Sequence, residues 1–187
     1  MSCGLFVHCS VRSIHNGLTN LLVESRLRML KVSEEKLITQ LKRYCAYRER
    51  CSREVRQKMV ILGVSGEDAS RIIGLLQQEG FINEERYAQL FAGGYFRQKN
   101  WGRNKIIAAL RMKGIQEAAI RRGLQEIGPE QYQQALQKLA AKLWKQYSRE
   151  PREKRKLATR AALIRKGFES DQIRKALDKV ITQKDSC

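Results

Sequence analysis

From Ser33 onward, apolar residues recur every three or four positions, the spacing that marks one face of an α-helix. Leu37, Leu41, Tyr44 and Cys45 share such a face behind Ser33-Glu34-Glu35, a capping residue and two acids placed to favour the helix dipole. Val55, Met59 and Leu62 mark a second helix, capped by Ser52 and ended by Gly63. Ala69, Ile72, Ile73 and Leu76 mark a third, opened by the capping box Ser65-Gly66-Glu67-Asp68 and closed by Gly80. The pattern then begins again. Asn83 caps a helix bearing Tyr87, Ala88, Phe91 and Tyr95, with Ile82 placed as a hydrophobic staple. Trp101-Gly102 breaks the chain, a helix through Ile106 and Leu110 ends at Gly114, and another runs through Ile120, Leu124 and Ile127 to Gly128. Pro129 opens a long helix at a position where its missing N–H costs nothing, and the face there is Tyr132, Leu136, Leu139 and Leu143. After the charged, exposed stretch from Ser148 to Arg152, two helices carry Leu163 and then Ile173, Leu177 and Val180, parted by Gly167-Phe168.

Within this pattern one glycine-centred motif occurs three times. It reads Val55…Met59…Gly63-Val64, then Ile106…Leu110…Gly114-Ile115, then Thr159…Leu163…Gly167-Phe168. The glycines lie 51 and 53 positions apart, so one small helical unit is used repeatedly. The expected fold is all-α, built of three tandem three-helix repeats at 33–80, 81–128 and 129–182. Each helix is marginal alone, so stability comes from burying each apolar stripe against its neighbours, and an extended, modular array held by local contacts is expected. Residues 1–32 show no such pattern and read as a disordered or appended extension, and 183–187 read as a polar tail.

Composition sharpens this picture. Only 7% of residues are aromatic against 42% hydrophobic, so the cores are thin and made of Leu, Ile, Ala and Val. The net charge of +18 is more than solubility requires and predicts a polyanion or an acidic protein surface as partner. No apolar run approaches the roughly 20 residues of a membrane span. Leu5-Phe6-Val7 is too short for an export signal, so a cytoplasmic protein with no membrane partner is expected. Five scattered cysteines in such a chain read as reduced thiols.

Catalytic and metal chemistry find little support. There is no Gly-rich phosphate loop followed by Lys and Ser or Thr. Gly93-Gly94 falls inside an apolar helix and reads as close helix packing. Cys3, His8, Cys9 and His15 lack the paired spacing of a metal site, and Cys45 and Cys51 suit neither a ligand pair nor a redox motif. Glu84 and Glu85 point in different directions from a helix start, where acids already have a dipole role. No enzyme activity and no cofactor are expected.

The basic residues remain. Arg97, Lys99, Arg103, Lys105, Arg111, Lys113, Arg121 and Arg122 run through the second unit. Lys156, Arg160, Arg165 and Lys166 run through the third, where Lys138, Lys142, Lys145 and Arg149 also follow one helix face. The eight of the second unit with Lys156, Arg160, Arg165 and Lys166 are the twelve candidate partner-binding and DNA-binding residues, against the plainer reading of a solvated face. Tyr95, Phe96 and Trp101 lie among them, placed either to stack on nucleobases or to pack within the fold.

The middle unit resembles the RecX family, regulators of the RecA recombinase. The resemblance rests on Phe81-Ile82-Asn83-Glu84-Glu85-Arg86-Tyr87-Ala88, on Trp101-Gly102-Arg103-Asn104-Lys105-Ile106, and on Leu110-Arg111-Met112-Lys113-Gly114-Ile115. Arg53-Glu54-Val55 and Leu163-Ile164-Arg165-Lys166-Gly167-Phe168 are similar to the family's first and third repeats. The similarity covers about residues 34–182. It departs at residues 1–32, which have no counterpart, and at Arg103, where many relatives have proline. It implies an elongated, curved array of three-helix repeats that binds the RecA–DNA filament, as a monomer, along its helical groove. It also implies restraint of filament growth, ATP hydrolysis and strand exchange, within recombination, DNA repair and the SOS response. The alternative reading is a general basic helical protein that binds single- and double-stranded DNA through phosphate contacts without RecA.

Overall fold

The computed structural model describes residues 33–64 and 66–185, and among these every regular element is an α-helix. Residues 1–32, Ser65 of the expected capping box, Ser186 and Cys187 lie outside the described residues. The chain divides into two compact units, one up to Tyr44 and one from Cys45 onward. The described part of the first belongs to α1 (33–47), where the Thr39 hydroxyl donates to the Glu35 carbonyl one turn back.

The second unit holds the remaining helices. They are α2 (Ser52–Ile61), α3 (Gly66–Gln78), α4 (Glu84–Lys99), α5 (Arg103–Met112), α6 (Glu117–Leu124), α7 (Pro129–Gln146), α8 (Arg152–Lys166) and α9 (Ser170–Asp185). The three repeat glycines do the same local work. Gly63, Gly114 and Gly167 take φ of +79°, +78° and +90° just past α2, α5 and α8, a left-handed conformation that an L side chain resists. Asn83 caps α4, its side chain accepting the Arg86 N–H at 2.9 Å.

Within the second and third triplets the outer helices pair most closely, α4 with α6 and α7 with α9. Gly123 permits the first pairing: a Cβ there would come within 2.8 Å of the Ala88 backbone. One apolar core joins Cys51 to the buried faces of α4 through α9. Across it Tyr132 of α7 sits between Phe96 of α4 and Phe168, with ring centroids 5.8 and 5.2 Å away.

Three expectations need revision. Ser52 does not cap α2 through its own side chain. Cys51 holds the cap position without a side-chain bond, and the Ser52 N–H and hydroxyl both donate to Glu84 Oε1, at 2.9 and 2.6 Å. Along α7 the buried stripe is Tyr132, Leu136, Ala140 and Trp144, a strict four-residue step, with Leu139 and Leu143 on its shoulder.

The third revision concerns local contacts. The N-terminus of α5 abuts the C-terminus of α8. The Gly102 N–H donates to the Lys166 carbonyl at 2.8 Å, and the Asn104 N–H to the Gly167 carbonyl at 3.0 Å. First-turn N–H groups and last-turn C=O groups have no partner within their own helix, so each end completes the other with dipoles aligned head to tail. Only glycine fits here. A Cβ on Gly102 would stand 2.3 Å from Gly167 backbone atoms, and one on Gly167 2.3 Å from Lys105 Cβ.

Candidate nucleic-acid and partner interface

The twelve basic candidates do not form one uniform face. Seven are engaged within the fold. Arg111 donates to Glu117 at 2.6 Å, Arg97 to Glu126 at 3.4 Å, and Arg122 to Glu85. Glu84 and Glu85, adjacent at the start of α4, therefore each have a structural partner, Ser52 for one and Arg122 for the other. The Arg111 bond holds the Glu117 carboxyl below its ordinary range.

Lys113 is partly buried. Its ammonium donates to Glu54 Oε1 at 2.7 Å, and the Tyr87 hydroxyl donates to the same oxygen at 3.0 Å. Arg50 stands 3.7 Å from the second oxygen. Burial would raise the Glu54 carboxyl, but the bonds from Lys113 and Tyr87, with the charges of Lys113 and Arg50, outweigh it and hold the group low. Burial pushes the Tyr87 phenol far up, with Cys51 and Glu54 adding to it. Burial likewise raises the Cys51 thiol, chiefly by desolvation, which suits a small core residue.

Three more of the seven serve the joint between α5 and α8. Arg103 lies over the Tyr132 ring, 4.2 Å from its centroid, and 3.9 Å from Glu169. Tyr132 accepts the Arg103 backbone N–H and donates to Glu169, so burial and that carboxylate drive its phenol upward. Lys105 reaches the Arg165 carbonyl at 3.4 Å, and Lys166 the Lys99 carbonyl at 3.1 Å. These lysines act on backbone oxygens, so their charge is not cancelled.

Lys99, Arg121, Lys156, Arg160 and Arg165 are exposed and make no side-chain bond among the described residues. They fall on different walls. Lys156 and Arg160, one turn apart on α8, line a depression of about 330 Å³ against α9, which adds Arg174 and Asp171. A second groove, of about 470 Å³, runs between α4 and α7. It gathers Arg97 with Lys138 and Lys142 and adds the amides of Asn100, Gln131 and Gln134. Helical spacing placed Lys138 and Lys142 on one face, but only tertiary structure brings Arg97 to them.

Sequence reasoning missed the partly buried carboxylate Glu54 and the stack of Arg155 on Trp144, at 4.1 Å, where the guanidinium also donates to the Trp144 carbonyl. Gly93 and Gly94 differ in role. A Cβ on Gly93 would meet the ends of Arg97 and Glu126, whereas Gly94 faces open space. The histidines weighed as ligands lie outside the described residues, and among those described no His, Cys, Asp and Glu gather as a metal site. No helix among them is long and apolar enough to cross a membrane.

Comparison with known proteins fits these helices to a family. Residues 83–124, from the Asn83 cap to the end of α6, match the second three-helix domain of RecX, and residues 130–177 match the third. A protein of Clostridium tetani named regulatory protein RecX is 29% identical over 131 residues, 69% of this chain and 60% of its own length. One of the same name from Limosilactobacillus reuteri is 28% identical over 76% of this chain and 54% of its own. One from Prosthecochloris aestuarii is 29% identical over 74% of this chain and 89% of its own. The chain thus spans little more than half the length of the first two relatives. Two crystal structures share the fold at 24% identity. A regulatory protein RecX superposes with TM-score 0.74 over 83% of this chain and 77% of that one. RecX from Lactobacillus salivarius superposes with TM-score 0.71 over 79% and 96%. Two consecutive family domains in their proper order, each beginning at a helix this chain builds, make it a member of the RecX family.

Proposed function

We propose that this chain binds the RecA–DNA filament and restrains recombination and ATP hydrolysis by RecA, acting as a cytoplasmic regulator without an enzymatic activity of its own. The family supports the regulatory half of this reading, since its relatives are named regulatory proteins. One observation supports the DNA half. Lys138 and Lys142 stand exposed beside Arg97 in a groove rich in amides, and neither lysine has an acid partner among the described residues. Cations and amide N–H donors in one groove suit phosphate oxygens. Lys99, Arg121, Lys156, Arg160 and Arg165 are the remaining candidates for such contacts.

The test is the DNA-stimulated ATPase of the cognate RecA, measured with substoichiometric amounts of this protein. The rate should fall. No change at any ratio overturns the reading and leaves the phosphate-only alternative, which needs no recombinase and weakens steeply and uniformly with salt.

A further inference from the structure

Four rings run in a row along α4 and around its end. Tyr87, Phe91 and Tyr95 follow one another at single-turn steps, and Trp101 continues them past the α4 terminus. Phe91 and Tyr95 have centroids 4.2 Å apart, and Tyr95 and Trp101 4.4 Å apart, each pair tilted by about 33°. Tyr87 is buried and tied to Glu54, whereas Phe91, Tyr95 and Trp101 are only partly buried. Depressions of about 500 and 360 Å³ adjoin this row and share Phe91, Tyr95, Glu54 and Lys113. Their rims carry Leu90 and Met112, 56% and 76% exposed, which is unusual for large apolar side chains.

Charge selects the occupant. The two carboxylates in these depressions are already neutralised, Glu49 by Arg86 at 2.5 Å and Glu54 by Lys113. Three other cations beside the row are not. Arg48 is exposed without an acid partner among the described residues. Arg53 and Lys105 spend their side-chain bonds on the Met112 and Arg165 carbonyls, so each keeps its full charge. Lys105 lies over the Trp101 ring, 4.7 Å from its centroid. Partly exposed rings bordered by uncompensated positive charge are the two components of a site for unpaired nucleotides, bases on the rings and phosphates on the cations.

We propose that the Phe91–Tyr95–Trp101 row binds single-stranded DNA by base stacking, with Arg48, Arg53 and Lys105 on the phosphates. It rests on the reading of this chain as one that works on DNA, and it names a site apart from the Arg97, Lys138 and Lys142 groove. Recognition is through ring faces, so the site accepts any sequence and discriminates against an abasic strand of equal charge.

The experiment uses the unaltered chain and no recombinase, so its failure is separable from that of the regulatory reading. Fluorescence anisotropy is followed with a labelled thymidine oligomer of about 15 nucleotides and with an abasic oligomer of the same length. The thymidine oligomer should bind about tenfold or more tightly and quench tryptophan emission. Tyr95→Ala should remove about tenfold of that preference and Tyr95→Phe should keep it, because the phenyl face is what stacks. Equal affinity for the two oligomers overturns the proposal, and so does a Tyr95→Ala variant of unchanged helicity that keeps the full preference. A polyglutamate peptide that competes for the row as well as the thymidine oligomer also overturns it, assigning the row to an acidic protein segment. The oligomer comparison needs no variant, so it decides the question even where Tyr95→Ala fails to fold.

Discussion

Three glycines share one conformation, but only one also fills a tight space. Gly63 and Gly114 have left-handed φ and nothing within 4 Å of where a Cβ would point, whereas Gly167 is pressed against Lys105. Gly63→Ala and Gly114→Ala should each cost only the left-handed penalty, about 1–2 kcal/mol. Gly167→Ala adds a steric clash with another helix and should cost about 3 kcal/mol or more. Urea unfolding of the three variants ranks them, and equal losses would remove the packing argument. Glu54 gives a second residue-scale prediction. Its carboxyl is held below the ordinary value of 4.5, so the stability it adds is full above that value and fades as pH falls through its folded one. Replacing it with Gln should cost about 1–3 kcal/mol at neutral pH, with the gap to the parent closing on acidification. A gap that stays constant between neutral pH and pH of about 3 would show that the Glu54 charge is not the cause.

At the scale of elements, what the sequence disclosed was what neighbours in the chain decide. Asn83 as a cap, Pro129 at a helix start and the left-handed glycines follow from backbone geometry over a few residues, so they could be read directly. Glu84 capping α2 could not, because its partner Ser52 lies 32 positions away and the need for a cap there shows only once the helices pack. The α7 stripe was misread for a related reason. Leucine spacing fits both 136-139-143 and 136-140-144, and only the neighbouring helices choose the second. The charged residues were legible as a set but not as partners, since Glu54, Glu85, Glu117, Glu126 and Glu169 claim five of the twelve. The α8–α5 joint makes an element-scale prediction. Amides in the first turn of a helix ordinarily exchange with solvent quickly. Those of Gly102 and Asn104 should be protected like helix-interior amides, because they donate to α8. Hydrogen exchange read by NMR checks this, and fast exchange at both would mean the joint is open in solution.

For the whole molecule, net charge overstates what is available to bind. Five of the twelve candidate cations are already paired with glutamates, so reversing Arg111 or Arg122 would set like charges against Glu117 or Glu85 and confuse binding with stability. Lys138 and Lys142 are the cleaner probes. Each replacement by Ala should weaken binding to single-stranded DNA uniformly across sequences and reduce the slope of log affinity against log salt by about 0.7. An unchanged slope in the double variant would assign that groove to the protein partner rather than to phosphate.

The abutting helix ends have a consequence for how the chain is made. Synthesis proceeds from the N-terminus, so α5 leaves the ribosome well before the residues that complete it. Lys105 waits for Arg165, 60 positions on, and Lys166 looks back 67 positions to Lys99. Until α8 arrives, the middle repeat has its hydrophobic pattern but an open helix end, with two amides facing water. The last repeat therefore closes the one before it, and a chain cut short before Gly167 would forfeit part of a repeat it had already translated.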